Sequence, residues 1–132
     1  MPPRRNTFDT GIASEYLVLS KLYRLGMEAY ISQGNKKSID IRVVKKDGTS
    51  ISIDVKSVRG YSSLVVNNVL VKKDLFVVFV IYNNKFEDLA VEPEIYIVPS
   101  VELSKLISHF KKEKRIMKGA ILKYKDTWNL LK

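Results

Sequence analysis

Asp54-Val55-Lys56 sets a carboxylate and an ammonium two residues apart, near the end of the alternating run Ser50-Ile-Ser-Ile-Asp-Val-Lys-Ser-Val58. Successive side chains of a strand point to opposite faces. Ser52, Asp54 and Lys56 therefore share one face, and Ile51, Ile53 and Val55 share the other. A second carboxylate, Asp40, lies in a strand predicted over 39–44. There Ile39, Ile41 and Val43 take the core side, and Asp40 and Arg42 the opposite one. Between the two segments stands Lys46-Asp47-Gly48, and Asp-Gly is among the strongest hairpin signals. Such a hairpin brings Asp40, Asp54 and Lys56 to one sheet face. Hard divalent cations prefer oxygen donors, and Mg²⁺ typically takes one or two carboxylates together with waters and phosphate oxygens. Asp40 and Asp54 suit that need, and the backbone carbonyl of Val55 can add a third oxygen. Lys56 is spaced to orient or activate a water, or to offset charge in a phosphoryl-transfer transition state. The same residues also suit a plainer role, as a surface ion pair on a half-exposed hairpin contributing about 0–1 kcal/mol.

A third carboxylate sits on a helix predicted over 10–26. Ile12, Tyr16, Leu19, Leu22 and Leu25 recur at close to helical spacing. Asp9 or Thr10 can cap the start, and Gly26 can take the left-handed position at the end. Glu15 lies between Ile12, Tyr16 and Leu19, near the apolar side. A charge buried there needs a partner, so Glu15 can reach the sheet and help hold a cation or its waters. Equally, its stem can lie along the boundary with the carboxylate in solvent.

The remaining elements frame these residues. A short strand is expected over 27–32, then a polar turn at 33–37. Gly60–Lys73 carries a short strand signal at Leu64-Val65-Val66 and a turn signal at Asn67-Asn68. Leu75 to Tyr82 is continuously apolar, as in a strand covered on both faces. Glu94–Val98 reads as another strand, stopped by Pro99. Ser100 is a natural cap for a helix running to about Lys114. Residues 116–124 suit a final strand or extended segment, and 126–131 a short helical turn. The order predicts one mixed sheet with helices packed against it.

The chain has 132 residues, enough for one domain: a basic arm over 1–9, then a single domain over 10–132. Its net charge of +9, from 23 Lys and Arg against 14 Asp and Glu, favours a polyanionic partner, most commonly nucleic acid. Arg4, Arg5, Lys36, Lys37, Arg42 and Arg59 lie near the acidic residues in sequence and are the candidates for phosphate contact. Lys36 and Lys37, just before Asp40, are the strongest of them. The densest positive stretch is later (Lys105, Lys111, Lys112, Lys114, Arg115, Lys118, Lys123, Lys125) and suits either phosphate contact or a solubilising face. Tyr30 and Tyr61 suit base stacking or ordinary packing. No cysteine is present, which excludes disulfides, thiolate metal sites and a cysteine nucleophile. The lone His109 has no serine and aspartate neighbours to form a triad, and the glycines make no phosphate loop. The opening MPPRRNTFDTG lacks the apolar core of a secretory signal, and no apolar run is long enough to span a bilayer. A cytoplasmic protein without membrane contact is expected.

Gly11-Ile-Ala-Ser-Glu15 on the first helix, Gly26 closing it, Asp40 in Ser-Ile-Asp-Ile and Asp54-Val-Lys56 at the end of an apolar strand together resemble the PD-(D/E)XK nuclease superfamily. That group includes archaeal Holliday junction resolvases, many restriction endonucleases and repair nucleases. The motifs cover residues 10–58, under half the chain. The resemblance implies a restriction-endonuclease-like α/β fold, a mixed central sheet flanked by α-helices. It also implies an endonuclease acting on double-stranded or branched DNA with Mg²⁺ or Mn²⁺. Asp40 would be the first metal-ligand aspartate, Asp54 the second acidic ligand, Lys56 the catalytic lysine and Glu15 the helix-borne acid. Junction resolvases act as dimers, so a homodimer belongs to the same expectation. Two departures stand out: Ile39 replaces the proline before Asp40, and no crossover helix is visible in 60–73. The alternatives are an inactive nucleic-acid-binding module of the same fold and a protein–protein adaptor.

Overall fold

The computed structural model describes residues 3–32, 40–67, 69–110 and 113–132, with side chains from residue 8 onward except that of Phe110. Helix α1 (Pro3–Arg24) is followed by strands β1 (Glu28–Ile31), β2 (Ile41–Val44), β3 (Ser50–Val58), β4 (Ser63–Val65), β5 (Leu75–Ile81), β6 (Glu94–Pro99), β7 (Ile107–Phe110) and β8 (Glu113–Met117). Short 3-10 turns fill Ser100–Lys105, Lys118–Tyr124 and Trp128–Leu131. The central sheet runs β1-β2-β3-β5-β6, antiparallel throughout except for the parallel pair β3–β5. A second, antiparallel sheet runs β4-β8-β7. The chain is thus a mixed α/β domain built on a mixed central sheet.

Alternation explains the layering. Ile41 and Val43 of β2, Ile51 and Ile53 of β3, and Val78 and Val80 of β5 pack with Val18 and Leu22 of α1. The other face of β5 and β6 presents Val77, Phe79, Tyr96 and Val98 to Leu64, Leu103, Ile116 and Ile121. Strand β5 serves both cores, which is why its sequence does not alternate. The β2–β3 hairpin turns at Gly48 (φ 88°), and α1 ends at Gly26 (φ 81°), both in the left-handed region that suits glycine.

Several expectations change. Helix α1 begins at Pro3 rather than Thr10, so most of the segment set apart as an arm is helical. Proline suits a first helical position because its missing N–H has no partner to lose there. The buried stripe of α1 is Ser14, Val18 and Leu22, whereas Ile12, Tyr16 and Leu25 are exposed. Two stripes at four-residue spacing coexist on this helix, and the one with the smaller side chains approaches the sheet. The helix predicted after Ser100 is a short 3-10 segment, Ser100–Lys105, followed by the β7–β8 hairpin. The Ser100 hydroxyl cannot cap it, being engaged with the Lys72 backbone: it donates to the carbonyl at 2.6 Å and accepts the N–H at 2.9 Å. Residues 116–124, expected as a strand or extended segment, finish β8 and then form a 3-10 turn. Among the described residues α1 is the one α-helix, so the second flank of the central sheet is covered by the small sheet instead. The connection from β3 to β5 likewise contributes β4 rather than a crossover helix. Among the described residues no helix is long and apolar enough to cross a membrane.

Candidate active site

Asp40 stands just before β2, one residue beyond the pairing of Ile41 with Ile53 that ends the β2–β3 ladder. Its carbonyl accepts the Ser32 N–H at 2.8 Å, and its own N–H donates to the Ile53 carbonyl at 2.8 Å. Its side chain turns inward to take the Val55 N–H on Oδ2 at 2.7 Å. The N–H and C=O of one strand residue point to the same side, so the Val55 carbonyl also faces the Asp40 side. Alternation aims Asp54 away from α1, because its neighbours Ile53 and Val55 pack towards that helix. Asp54 is 1% exposed, and its Oδ1 lies 3.5 Å from the Lys56 ammonium. Its Oδ2 is buried, with no hydrogen-bond partner among the described residues.

The electrostatics tie Glu15 to this pair. Burial, the nearby Asp40 and then Asp54 push the Glu15 carboxyl up to about 7. Burial raises Asp54 to about 6. The Lys56 ammonium opposes that rise, and the Asp40 charge adds to it. Three carboxylates against one ammonium leave an excess of negative charge with one oxygen unsatisfied, and every available donor is oxygen. That donor set fits a hard divalent cation. Asp40 and Asp54 form the inner pair, while Glu15 acts on them from the helix layer. Among the described residues, no three carboxylate or imidazole groups are gathered tightly enough to enclose an ion as they stand.

The raised values fix a pH dependence for metal-free protein. A carboxyl that is harder to ionise when folded holds its proton more tightly in the native state. Stability is then greatest at low pH and declines as pH rises from the unfolded value through the folded one. For Asp54 and Glu15 that window runs from about 4 to about 7. The melting temperature in the presence of a chelator is expected to fall across this window, beyond any change elsewhere in the chain. A flat or rising profile would contradict the burial of these charges.

A polar tie holds α1 against the sheet beside Glu15. The buried Ser14 hydroxyl donates to the Thr10 carbonyl at 2.6 Å and shares a 2.8 Å hydrogen bond with the Tyr82 hydroxyl. Arg59 Nε donates to Thr10 Oγ1 at 2.6 Å, while its guanidinium stacks 3.9 Å from the centre of the Phe86 ring. Sequence inspection missed Thr10, Ser14 and Tyr82. The available signal was two small hydroxyl residues four apart on the helix face that meets the sheet.

The structure thus assembles Asp40, Val55, Asp54 and Lys56, with Glu15 in their field. Arg59 joins the helix tie. Arg42 is half-buried on β2, between Tyr30 of β1 and Ser52 of β3. Lys36 and Lys37 lie outside the described residues, as do the side chains of Arg4 and Arg5. Much of the later basic stretch is paired: Lys118 and Lys125 meet Glu94 at 2.7 and 3.6 Å, and Arg115 meets Glu113 at 3.1 Å. Tyr30 and Tyr61 are both more than half exposed. An open cleft is lined by Arg59, Asn84, Lys85, Phe86, Glu87 and Asp88, and not by Glu15, Asp40 or Asp54.

No protein-family model and no curated protein sequence matches the chain. Among solved structures, the bacterial homing endonuclease I-Ssp6803I superposes with a TM-score of 0.62 over 94% of this chain and 90% of that one, at 17% identity. The likeness is one of fold. It extends through the second sheet as well as the β2–β3 hairpin, because nearly the whole chain takes part.

Proposed function

We propose that this chain is a metal-dependent endonuclease of the PD-(D/E)XK type that hydrolyses DNA phosphodiester bonds. The observation that carries the proposal is the buried, unpartnered Oδ2 of Asp54 beside Asp40 and Lys56. A buried carboxylate oxygen left bare costs stability unless something cationic meets it. The likeness in fold to a homing endonuclease supports the same reading, as does the net charge of +9.

In this mechanism Asp40 and Asp54, with the Val55 carbonyl, hold Mg²⁺ or Mn²⁺. The cation supplies Lewis acidity at a phosphoryl oxygen and acidifies a water. The Val55 N–H keeps Asp40 turned towards Asp54. Lys56 holds the attacking water, or offsets the charge that grows on the phosphoryl oxygens. Glu15 adds negative potential from α1. Arg42, Lys36 and Lys37 contact backbone phosphates, which position a duplex without reading its bases.

Purified protein is to be incubated with supercoiled plasmid, single strands and a four-way junction, with Mg²⁺, with Mn²⁺ or with a chelator. Cleavage is expected with either cation and none with the chelator. The junction is the preferred substrate if the resolvase resemblance extends to substrate choice. Binding with a steep salt dependence but no cleavage would replace the proposal with a non-catalytic binding module. No binding at moderate salt would point to a protein–protein adaptor.

A further inference from the structure

The central sheet turns one face to α1, and on its other face burial changes sharply from strand to strand. Phe79 of β5 and Tyr96 of β6 are fully buried there, with Leu64 and Ile116 in the second core. Arg42 of β2 and Ser52 of β3 are only half-buried, and Tyr30 of the edge strand β1 is 52% exposed. Ala29 and Ile31 pack towards α1, so alternation sets Tyr30 on this second face. Register places Tyr30 beside Arg42, and Arg42 beside Ser52, in one row across three strands. Asp54 and Lys56 follow Ser52 along β3 on the same face. An open floor of three strands, about 10 Å across, thus leads from the acidic cluster to an aromatic ring.

We propose that Tyr30 stacks on an unpaired nucleobase of the strand whose phosphate reaches Asp54, so that the DNA is single-stranded or locally unpaired beside the cut. The identity of that strand as substrate rests on the endonuclease proposal. An aromatic ring next to a cation on a sheet surface is the combination that holds single strands: the ring takes a base and the cation takes the backbone. The charges on either side of the ring assign the two parts. The Tyr30 hydroxyl donates to Glu28 Oε2 at 2.6 Å, and that carboxylate repels phosphate. Arg42, the next residue in the row, attracts it. The base therefore falls to Tyr30 and the phosphate to Arg42. The bond to Glu28 also restrains the ring, so less rotational freedom is lost when a base meets it. In an intact duplex both faces of an internal base are covered by its neighbours. A free face is offered only where a base has left the stack, at a single strand, a bulge or a branch.

The test reads binding in chelator and not cleavage, so its failure and that of the endonuclease proposal are distinguishable. Three probes are used: a thymidine oligonucleotide, the same phosphodiester chain with abasic sites in place of bases, and a relaxed, covalently closed circular duplex. Tyr30→Ala is expected to weaken binding to the thymidine oligonucleotide by roughly five- to a hundredfold, the range for one stacked base. Binding to the abasic chain and to the closed duplex should change by less than about twofold, because the phosphate contacts remain. Tyr30→Thr, which keeps a strand-forming side chain, should behave like Tyr30→Ala. Tyr30→Phe keeps the ring and should retain most of the affinity. Unchanged binding of the thymidine oligonucleotide by Tyr30→Ala and Tyr30→Thr overturns the inference. So does a loss that both variants show equally on the abasic chain. A protein that cleaves plasmid yet gives either result keeps the endonuclease proposal and loses this one.

Discussion

Asp54→Ala is expected to lower metal-dependent DNA cleavage by roughly 10³-fold or more, about 4 kcal/mol of transition-state stabilisation. Among the described residues Asp54 supplies the one carboxylate oxygen that is both buried and unpartnered, so none of them can substitute for it. Asp54→Asn is the more informative change, since it keeps the shape and removes the charge. Without metal at pH 8, wild type carries a buried carboxylate whose ionisation is displaced upward to about 6. A displacement of that size corresponds to a cost on the order of 3 kcal/mol, so the Asp54→Asn protein should be more stable than wild type by up to about that much. Adding Mg²⁺ should then reverse the ranking, because wild type gains binding energy and the variant does not. Melting curves with and without Mg²⁺, alongside plasmid cleavage, check both halves. A variant that cuts within about twofold of wild type would end the metal-site assignment.

Lys56→Met should separate chemistry from metal binding. The ammonium sits 3.5 Å from Asp54 Oδ1 and is a quarter exposed, so it reaches the position where a water and a phosphate would meet. Its loss should lower the single-turnover rate by roughly 10²–10⁴-fold while the Mg²⁺-induced rise in melting temperature survives. Lys56→Arg keeps the charge but replaces a compact donor with a planar fork, so it should recover only part of the rate. If both the rate and the metal-induced stabilisation disappear together, Lys56 serves only as the counter-charge that keeps Asp54 ionised.

The placement of Asp40, Asp54 and Lys56 was legible because it is local. Strict alternation in Ser50–Val58 decides which way Asp54 and Lys56 point, and Asp47-Gly48 returns the chain so that Asp40 lies beside them. The two-sided apolar run of β5 was equally plain. What failed depended on distant partners. Ser100 has the chemistry of a helix cap, but its hydroxyl is engaged by Lys72, 28 residues earlier. The face of α1 that meets the sheet is marked by the buried Val18 and Leu22 and by a hydrogen bond between Ser14 and Tyr82, 68 residues away, while periodicity alone offered a second stripe of larger side chains. The late basic stretch left phosphate contact and a solubilising face both open in sequence, because Glu94, which meets two of its lysines, lies on another strand.

The pairing of β4 with β8 joins Ser63 to Met117 and Leu64 to Ile116 across more than fifty intervening positions. Contacts so distant along the chain slow folding, since the loop must close before it is rewarded. During synthesis the central sheet can form while Val77, Phe79, Tyr96 and Val98 still await the cover that Ile116 and Ile121 complete. For that interval the nascent domain exposes an apolar sheet face, which makes chaperone capture or aggregation the competing fates. Slower translation through the last strand would lengthen that exposure and should reduce the yield of native protein.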